Sequence, residues 1–390
     1  MTVNQIYSLL NDVSEQIYGA DAIAAEDLSG LISMGDTVLS SSTDVDKFLG
    51  ALVDRIGRTL IRNLDLEVNY PNLVSNAFEF GAALQKISVQ PLDAVRNTAW
   101  DIGDPNYVPN QYAISKGNVA VSIFSKVDTW KVRVTISDDL FKTAFLSESQ
   151  MAAFVDGLIN SMSESMTLKL NAMNKLCVNN FIGSKIASGK NVVHLVTEYN
   201  AIVPEADRIA SGSELKAIYN AGFLKFMGKR ISDHMRYMNE PNKVYNENGL
   251  VRRTARDNMH CFLMSEVNSA YDLYLTADTF HDNLVGLPFF QPVTAWQASN
   301  GEGSESGTVA DMPDFGTAST INIKTSDGDT VNQAGIVCAL MDREALGTTM
   351  YDLKSAAVRN DEDGYTNMST RATVGYFNDL SEQGCVFVLD

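Results

Sequence analysis

The sequence predicts an α+β protein built from more than one compact unit, and three observations predict it. The chain has 390 residues, more than a single hydrophobic core ordinarily needs. From Ser147 to Phe181 apolar residues advance in steps of three and four, the period of a helix. Elsewhere, at Leu84–Val89, Val119–Ile123 and Trp130–Ile136, apolar and polar residues alternate as in a half-buried strand. With 45% hydrophobic and 20% charged residues the chain is globular, which excludes disordered, collagenous and coiled-coil classes.

Residues 1–42 read as an arm. Ile6, Leu9, Leu10, Val13 and Ile17 fit one helical stripe, and a Gly/Ser-rich stretch follows. Such a terminus is either loosely held or docks on a neighbouring copy or partner. Thr43 or Asp44 can cap a helix to about Asn63, with Phe48, Leu52, Val53, Ile56, Leu60 and Ile61 on one face. The alternating strands at Leu84 and Val119 flank a polar, turn-rich stretch from Asp101 to Pro109, near Trp100, Tyr107 and Tyr112. Together they form a two-stranded excursion reaching roughly 50 Å if each arm holds about 15 residues. An isolated ribbon of that kind is marginal in water, so something outside the subunit is expected to cover it.

A third alternating strand runs from Trp130 to Ile136, and Ser147-x-x-Gln150 then matches a capping box. Met151, Val155, Leu158, Met162, Met166, Leu170, Met173, Cys177 and Phe181 form the stripe of a spine helix about 45 Å long. A mixed α/β unit begins near Ser211. Ser213 caps a helix to about Met238, and the Asn248-Gly249 turn and a strand at His260–Met264 follow. A helix from Val267 to Thr276, a strand near Phe289–Trp296, a loop over Ser299–Gly307 and a strand at Gly335–Met341 complete it. The tail reads as strand, turn at Asp361–Gly364, return strand at Arg371–Tyr376 and a last strand at Gly384–Leu389.

Charge and chemistry narrow the function. Forty-eight acidic against 30 basic side chains give −18, so a generic phosphate-binding surface is excluded and the chain as a whole repels nucleic acid. Eight carboxylates precede the first basic residue, Lys47. The opening residues lack the basic and apolar regions of a secretory signal, and the longest apolar runs fall short of a membrane span. Cys177, Cys261, Cys338 and Cys385 stand singly in apolar stretches and are expected as buried reduced thiols.

Catalytic templates are missing: there is no H-E-x-x-H, Walker loop or G-x-S-x-G elbow. The glycines at 301, 303 and 307 have the wrong spacing for a dinucleotide turn, so no cofactor is expected. His194, His234, His260 and His281 are scattered, so no metal is expected either. The acidic turn at Asp361 and Asp363 puts Arg359 and Thr370 where a calcium loop needs carboxylates, leaving a plain hairpin. Arg252, Arg253 and Arg256 read as ion-pairing partners for carboxylates of the same or a neighbouring copy.

The segments Phe48–Arg62 (FLGALVDRIGRTLIR), Ser137–Phe145 (SDDLFKTAF) and Asp342–Leu389, with a weaker match over Val251–Asn283, cover about half the chain. They resemble the major capsid proteins of tailed double-stranded-DNA phages of the Hong-Kong-97-type fold, most of all the small short-tailed phi-29 group. The resemblance implies an N-terminal arm at 1–42, a peripheral-domain helix and lead-in at 43–78, and an extended loop over a neighbour at 79–126. It implies a peripheral domain with the spine helix at 127–210, an axial domain at 211–350, peripheral strands at 351–382 and a closing axial strand at 383–390. Candidate inter-subunit contacts are Trp100, Tyr107, Tyr112, Lys86 and Lys116 of the loop with Arg252, Arg253 and Arg256.

By the same resemblance the chain is a non-enzymatic shell subunit. It would form pentamers and hexamers of an icosahedral or prolate head that encloses DNA without sequence-specific binding. A scaffolding protein and a portal would be partners, assembly would occur in the host bacterial cytoplasm, and no membrane is involved. Some relatives carry an immunoglobulin-like domain after the closing strand; this sequence stops at Asp390, so decoration from that source is not expected. Lys86, Lys116 and Lys126 match no cross-linking lysine, and no cross-link is expected. The alternatives are a soluble α/β enzyme with an unrecognised site and another self-polymerising structural protein.

Overall fold

A computed structural model describes residues 3–19, 24–41, 43–52, 84–92, 94, 112, 114, 116–124, 127–273, 290–297, 314–325, 328, 330–360 and 362–390. Two hydrophobic cores are joined by one long helix. The N-terminal helices are α1 (Val3–Tyr18), α2 (Leu28–Val38) and α3 (residues 43–52), followed after strands β1 (Leu84–Val89), β2 (Val119–Phe124) and β3 (Val127–Ser137) by α4 (Asp138–Ala144). The spine is α5 (Glu148–Ser188), 41 residues long and so about 61 Å at 1.5 Å per residue.

All nine positions of the spine stripe are buried, none more than 7% exposed. The helix starts where the Ser147 hydroxyl accepts the Gln150 amide, and it ends at Gly189, whose φ of +63° supplies the left-handed cap. It therefore runs beyond Phe181, the last position of the expected stripe, because nothing before Gly189 breaks it. Its N-terminal half, through Met162, packs with Leu10, Leu31, Met34, Phe48 and Phe141 in one core; its C-terminal part, from Cys177, belongs to the other.

Residues 1–42 differ from the expected arm. Their described part folds back as α1 and α2 onto the subunit's own spine, with Leu10, Val13, Leu31 and Val38 fully buried. Two apolar stripes rather than one make this possible, and Asn11 ties the turn between them by exchanging two hydrogen bonds with the Ala25 backbone. The α3 start is capped from Ser41, whose Oγ accepts the Asp44 amide, two residues earlier than Thr43. Its continuation to Asn63 lies outside the described residues.

The core at the C-terminal end of the spine surrounds a five-stranded sheet ordered β4 (Val192–His194), β12 (Gly384–Val388), β9 (Ile336–Asp342), β5 (Met259–Met264) and β6 (Gln291–Val293). Every residue of β5, β9 and β12 is buried. Helices α6 (Leu195–Ile202), α7 (Ala221–Met238) and α8 (Ser265–Tyr271) cover it. The helix expected from Ser213 to Met238 is split, since residues 214–219 wind as a 3₁₀ turn. Asn220 then caps α7 by accepting the Phe223 amide. α8 begins before the expected Val267, and residues 274–289 and 298–313, with the ends of the expected helix and strand and the Gly/Ser/Glu loop, lie outside the described residues. A short helix α9 (Phe315–Ala318) and the hairpin β7 (Ile321–Lys324) with β8 (Thr330–Gln333) complete this unit.

The second sheet is three-stranded and antiparallel, ordered β10 (Leu346–Asn360), β11 (Tyr365–Asn378) and β3. β10 starts five residues before the expected 351, with a bulge between Met350 and Asp352. Thr366, Met368, Thr370, Ala372 and Val374 alternate inward, and Thr370 donates to the Met162 sulfur of α5 at 3.4 Å. Gly364, at φ +60°, closes the hairpin at the expected acidic turn. Arg359 holds that turn to α4 through a bidentate pair with Asp138 at 3.0 and 2.7 Å. The four cysteines are free thiols and buried.

Candidate assembly interface

Of the excursion expected from the sequence, the described residues show six pairs of an antiparallel ribbon, β1 with β2, Leu84 opposite Phe124 through Val89 opposite Val119, and most of its tip lies outside them. Period two sends Gln85, Ile87, Val89, Val119, Val121 and Ile123 to one face, and all six are exposed, Ile87 by 61% and Ile123 by 67%. The other face carries Leu84, Lys86, Ser88, Ala120, Ser122 and Phe124. The ribbon thus turns its β-branched side outward, while a mixed face of Lys86, two serines and three apolar residues meets its own body. That inverts the usual burial preference and marks a surface for contact.

The base of the ribbon is held by charges. Lys86 Nζ lies 2.6 Å from Glu382 Oε1, 3.2 Å from Asp379 Oδ2 and 3.6 Å from Glu344 Oε2, and donates to the Glu344 carbonyl at 3.1 Å. Arg252 reaches the same Glu382 oxygen at 3.2 Å from the other side. Asp342, beside this cluster, accepts from Thr254 at 2.5 Å. Burial works against the Lys86 ammonium, but hydrogen bonds and attraction from Glu382 and Asp379 prevail and hold its pKa above the ordinary lysine value. At Glu382 and Asp342 burial wins, and both carboxyls sit above their usual range despite their partners. Two further ties hold the two ends of the paired segment to the same body. The Val251 amide donates to Gln90 Oε1 at 2.7 Å, and the Phe124 and Phe377 rings lie 5.6 Å apart.

Of the candidate contact residues, Tyr112 is 89% exposed and Lys116 is exposed beyond the ribbon's strands, while Trp100 and Tyr107 lie outside the described residues. Lys86 and Arg252 both pair with Glu382 inside the subunit. Arg253 donates to the Asn239 carbonyl at 2.8 Å. Arg256 lines a small cavity of about 270 Å³ with Ser232, Arg236 and Asn239. The basic cluster therefore divides between the ribbon's base and the end of α7. Sequence reasoning missed Asp379 and Glu382, which lie almost 300 residues from Lys86 and carry no local motif.

A separate apolar concavity of about 460 Å³ opens where β3, α4 and the start of α5 meet, lined by Val134, Ile136, Leu140, Ala144, Phe154 and Leu158. Among the described residues no group of three or more His, Cys, Asp and Glu is arranged to hold a metal, and no helix is long and apolar enough to cross a membrane.

A sequence model described as Phi29-like phage major capsid protein matches residues 6–388. The chain belongs to that family. Within the Phi29-like group, the major capsid protein of Bacillus phage B103 is 21% identical over 250 residues, 64% of this chain and 50% of that protein. The major capsid protein of Bacillus phage PZA is 25% identical over 148 residues, 38% of this chain and 32% of that protein. The chain thus spans about half the length, or less, of the curated relatives it matches. A solved capsid structure of Staphylococcus phage Andhra is 11% identical, covering 84% of this chain and 87% of the other, with a TM-score of 0.49. Members of the Phi29-like family are structural capsid proteins.

Proposed function

We propose that this chain is the repeating subunit of a closed phage head, and that copies are joined by laying the β1–β2 ribbon of each on the next. The observation that carries this reading is the outward apolar face of Ile87, Val89, Val119, Val121 and Ile123 on a ribbon whose base is locked to its own body. A heterologous contact of that kind repeats from copy to copy and closes when the rotation allows. The apolar concavity around Leu140 and Phe154 offers a seat of matching character on the neighbour.

In this reading the sheet of β3, β10 and β11 with the spine forms a peripheral domain, and the five-stranded sheet forms an axial domain around pentamer and hexamer centres. A scaffolding protein and a portal assist in the host cytoplasm, and the finished virion shell encloses DNA without reading its sequence. Net charge of −18 per copy suits that enclosure, since a wall repelled by phosphate leaves the genome free to be packed.

The test is a double substitution, Ile87→Asp with Val121→Asp. These side chains are exposed, so the subunit should keep its circular-dichroism spectrum and melt within a few degrees of the parent, while sedimentation shows no shells. Shells at parental yield would remove the ribbon from the interface.

A further inference from the structure

The outer face of the three-stranded sheet is basic on a chain that is otherwise strongly acidic. Across the register Lys354 stands opposite Arg371, and Arg371 opposite Lys131, so three cations occupy one row over β10, β11 and β3. Arg133, two residues along β3, points the same way, and all four side chains are exposed. Like charges directly opposite each other in a sheet repel and weaken it. Among the described residues neither Lys131, Arg133 nor Arg371 has a carboxylate within ion-pair distance, although the chain carries 48. The remaining outward side chains of β3 and β11 here, Thr129, Thr135, Asn367, Ser369 and Thr373, are neutral. The facing Lys131 and Arg371 thus repel each other with no carboxylate within ion-pair distance of either among the described residues.

We infer that this row, Lys131, Arg133 and Arg371 with Lys354 at its edge, is an interface that receives the acidic surface of a second copy of this chain. Charge complementarity selects that occupant: every copy brings −18, and eight of its carboxylates precede its first basic residue. Duplex DNA is the weaker fit, because a few cations on one sheet face cannot offset the repulsion from the rest of the molecule. The contact is separate from the ribbon and rests on the reading of the chain as a shell subunit only for the supply of neighbours. It would fix orientation between copies, since only one sheet face attracts while most of the surface repels.

The inference predicts opposite signs for two measurements on one variant. Lys131→Glu places a carboxylate opposite Arg371, so the dissociated full-length chain should melt at or above the parental temperature. Its assembly yield should nevertheless fall by about tenfold or more, because the acidic neighbour is now repelled. Arg371→Thr, which merely deletes the central charge, should lower yield less while also leaving melting undiminished. Carbodiimide coupling in particles built from mixed normal- and heavy-nitrogen chains should join Lys131 to a carboxylate peptide of a second copy.

Lys131→Glu assembling at parental yield, or Lys131 coupling only within its own chain or to a different protein, would overturn the inference. So would salt-sensitive binding of duplex DNA by the parent that is lost in Lys131→Glu. A parental chain that never self-associates would overturn the shell reading and this interface together. Parental shells with a silent Lys131→Glu would overturn this interface alone.

Discussion

Lys86 carries the ribbon's position on one side chain. Four oxygen groups from Glu344, Asp379 and Glu382 converge on it, and Arg252 shares the closest of them. Lys86→Met would leave those carboxylates half-compensated in a mostly buried site; the expected loss is about 2–3 kcal/mol in urea unfolding, somewhat under the value for a fully buried pair because Lys86 is 19% exposed. Lys86→Arg should recover most of it.

Burial also drives the His234 and His260 rings down to about 4. A ring that protonates less readily folded than unfolded contributes stability fully above pH 6.5, and that contribution drains away as pH falls towards 4. His260, with Nε2 buried and unbonded, accounts for on the order of 3 kcal/mol of it. Glu382 and Asp342, held above the usual carboxyl range, act in the opposite sense, taking up protons more readily in the fold. Substituting His260→Gln isolates the ring: the melting temperature of that variant should fall less between pH 6.5 and 4 than the parent's. An unchanged slope would remove His260 as the cause.

At the scale of elements, the spine helix joins the two cores, so breaking it should unfold both. Met162 is 1% exposed inside α5, and Met162→Pro removes a backbone hydrogen bond, clashes with the preceding turn and empties a buried site, costing about 3 kcal/mol or more. Loss of soluble, cooperatively melting protein is the expected result; a normally folded, assembling variant would contradict the spine's role. Elements with a strong local period were legible in advance, as the nine-position stripe of α5, the alternation of β1, β2 and β3 and the Ser147 cap attest. The split before α7 was not, because one Asn220 side chain competing for the Phe223 amide decides it. Nor was the fold-back of α1 and α2, which depends on Phe48, Phe141 and Met151 arriving from three other segments. The ribbon's outward face was legible in its alternation, but its anchor joins Lys86 to residues near the chain's end, and distance in sequence hid it.

For the whole molecule, the balance is between short contacts and long-range repulsion. Copies at −18 repel over about 30 Å near 10 mM salt but only about 8 Å near 150 mM, while contacts at bonding distance are screened far less. Raising salt through that range should therefore speed assembly, followed by light scattering; a rate that falls from the lowest salt upward would mean attraction between whole copies dominates. The central claim is that copies of this chain close into a shell. Electron microscopy of the purified chain, expressed alone and with its neighbouring reading frames, tests it most directly. Uniform closed particles with five-fold vertices are the predicted result, and small discrete oligomers or open fibres in both preparations would contradict it.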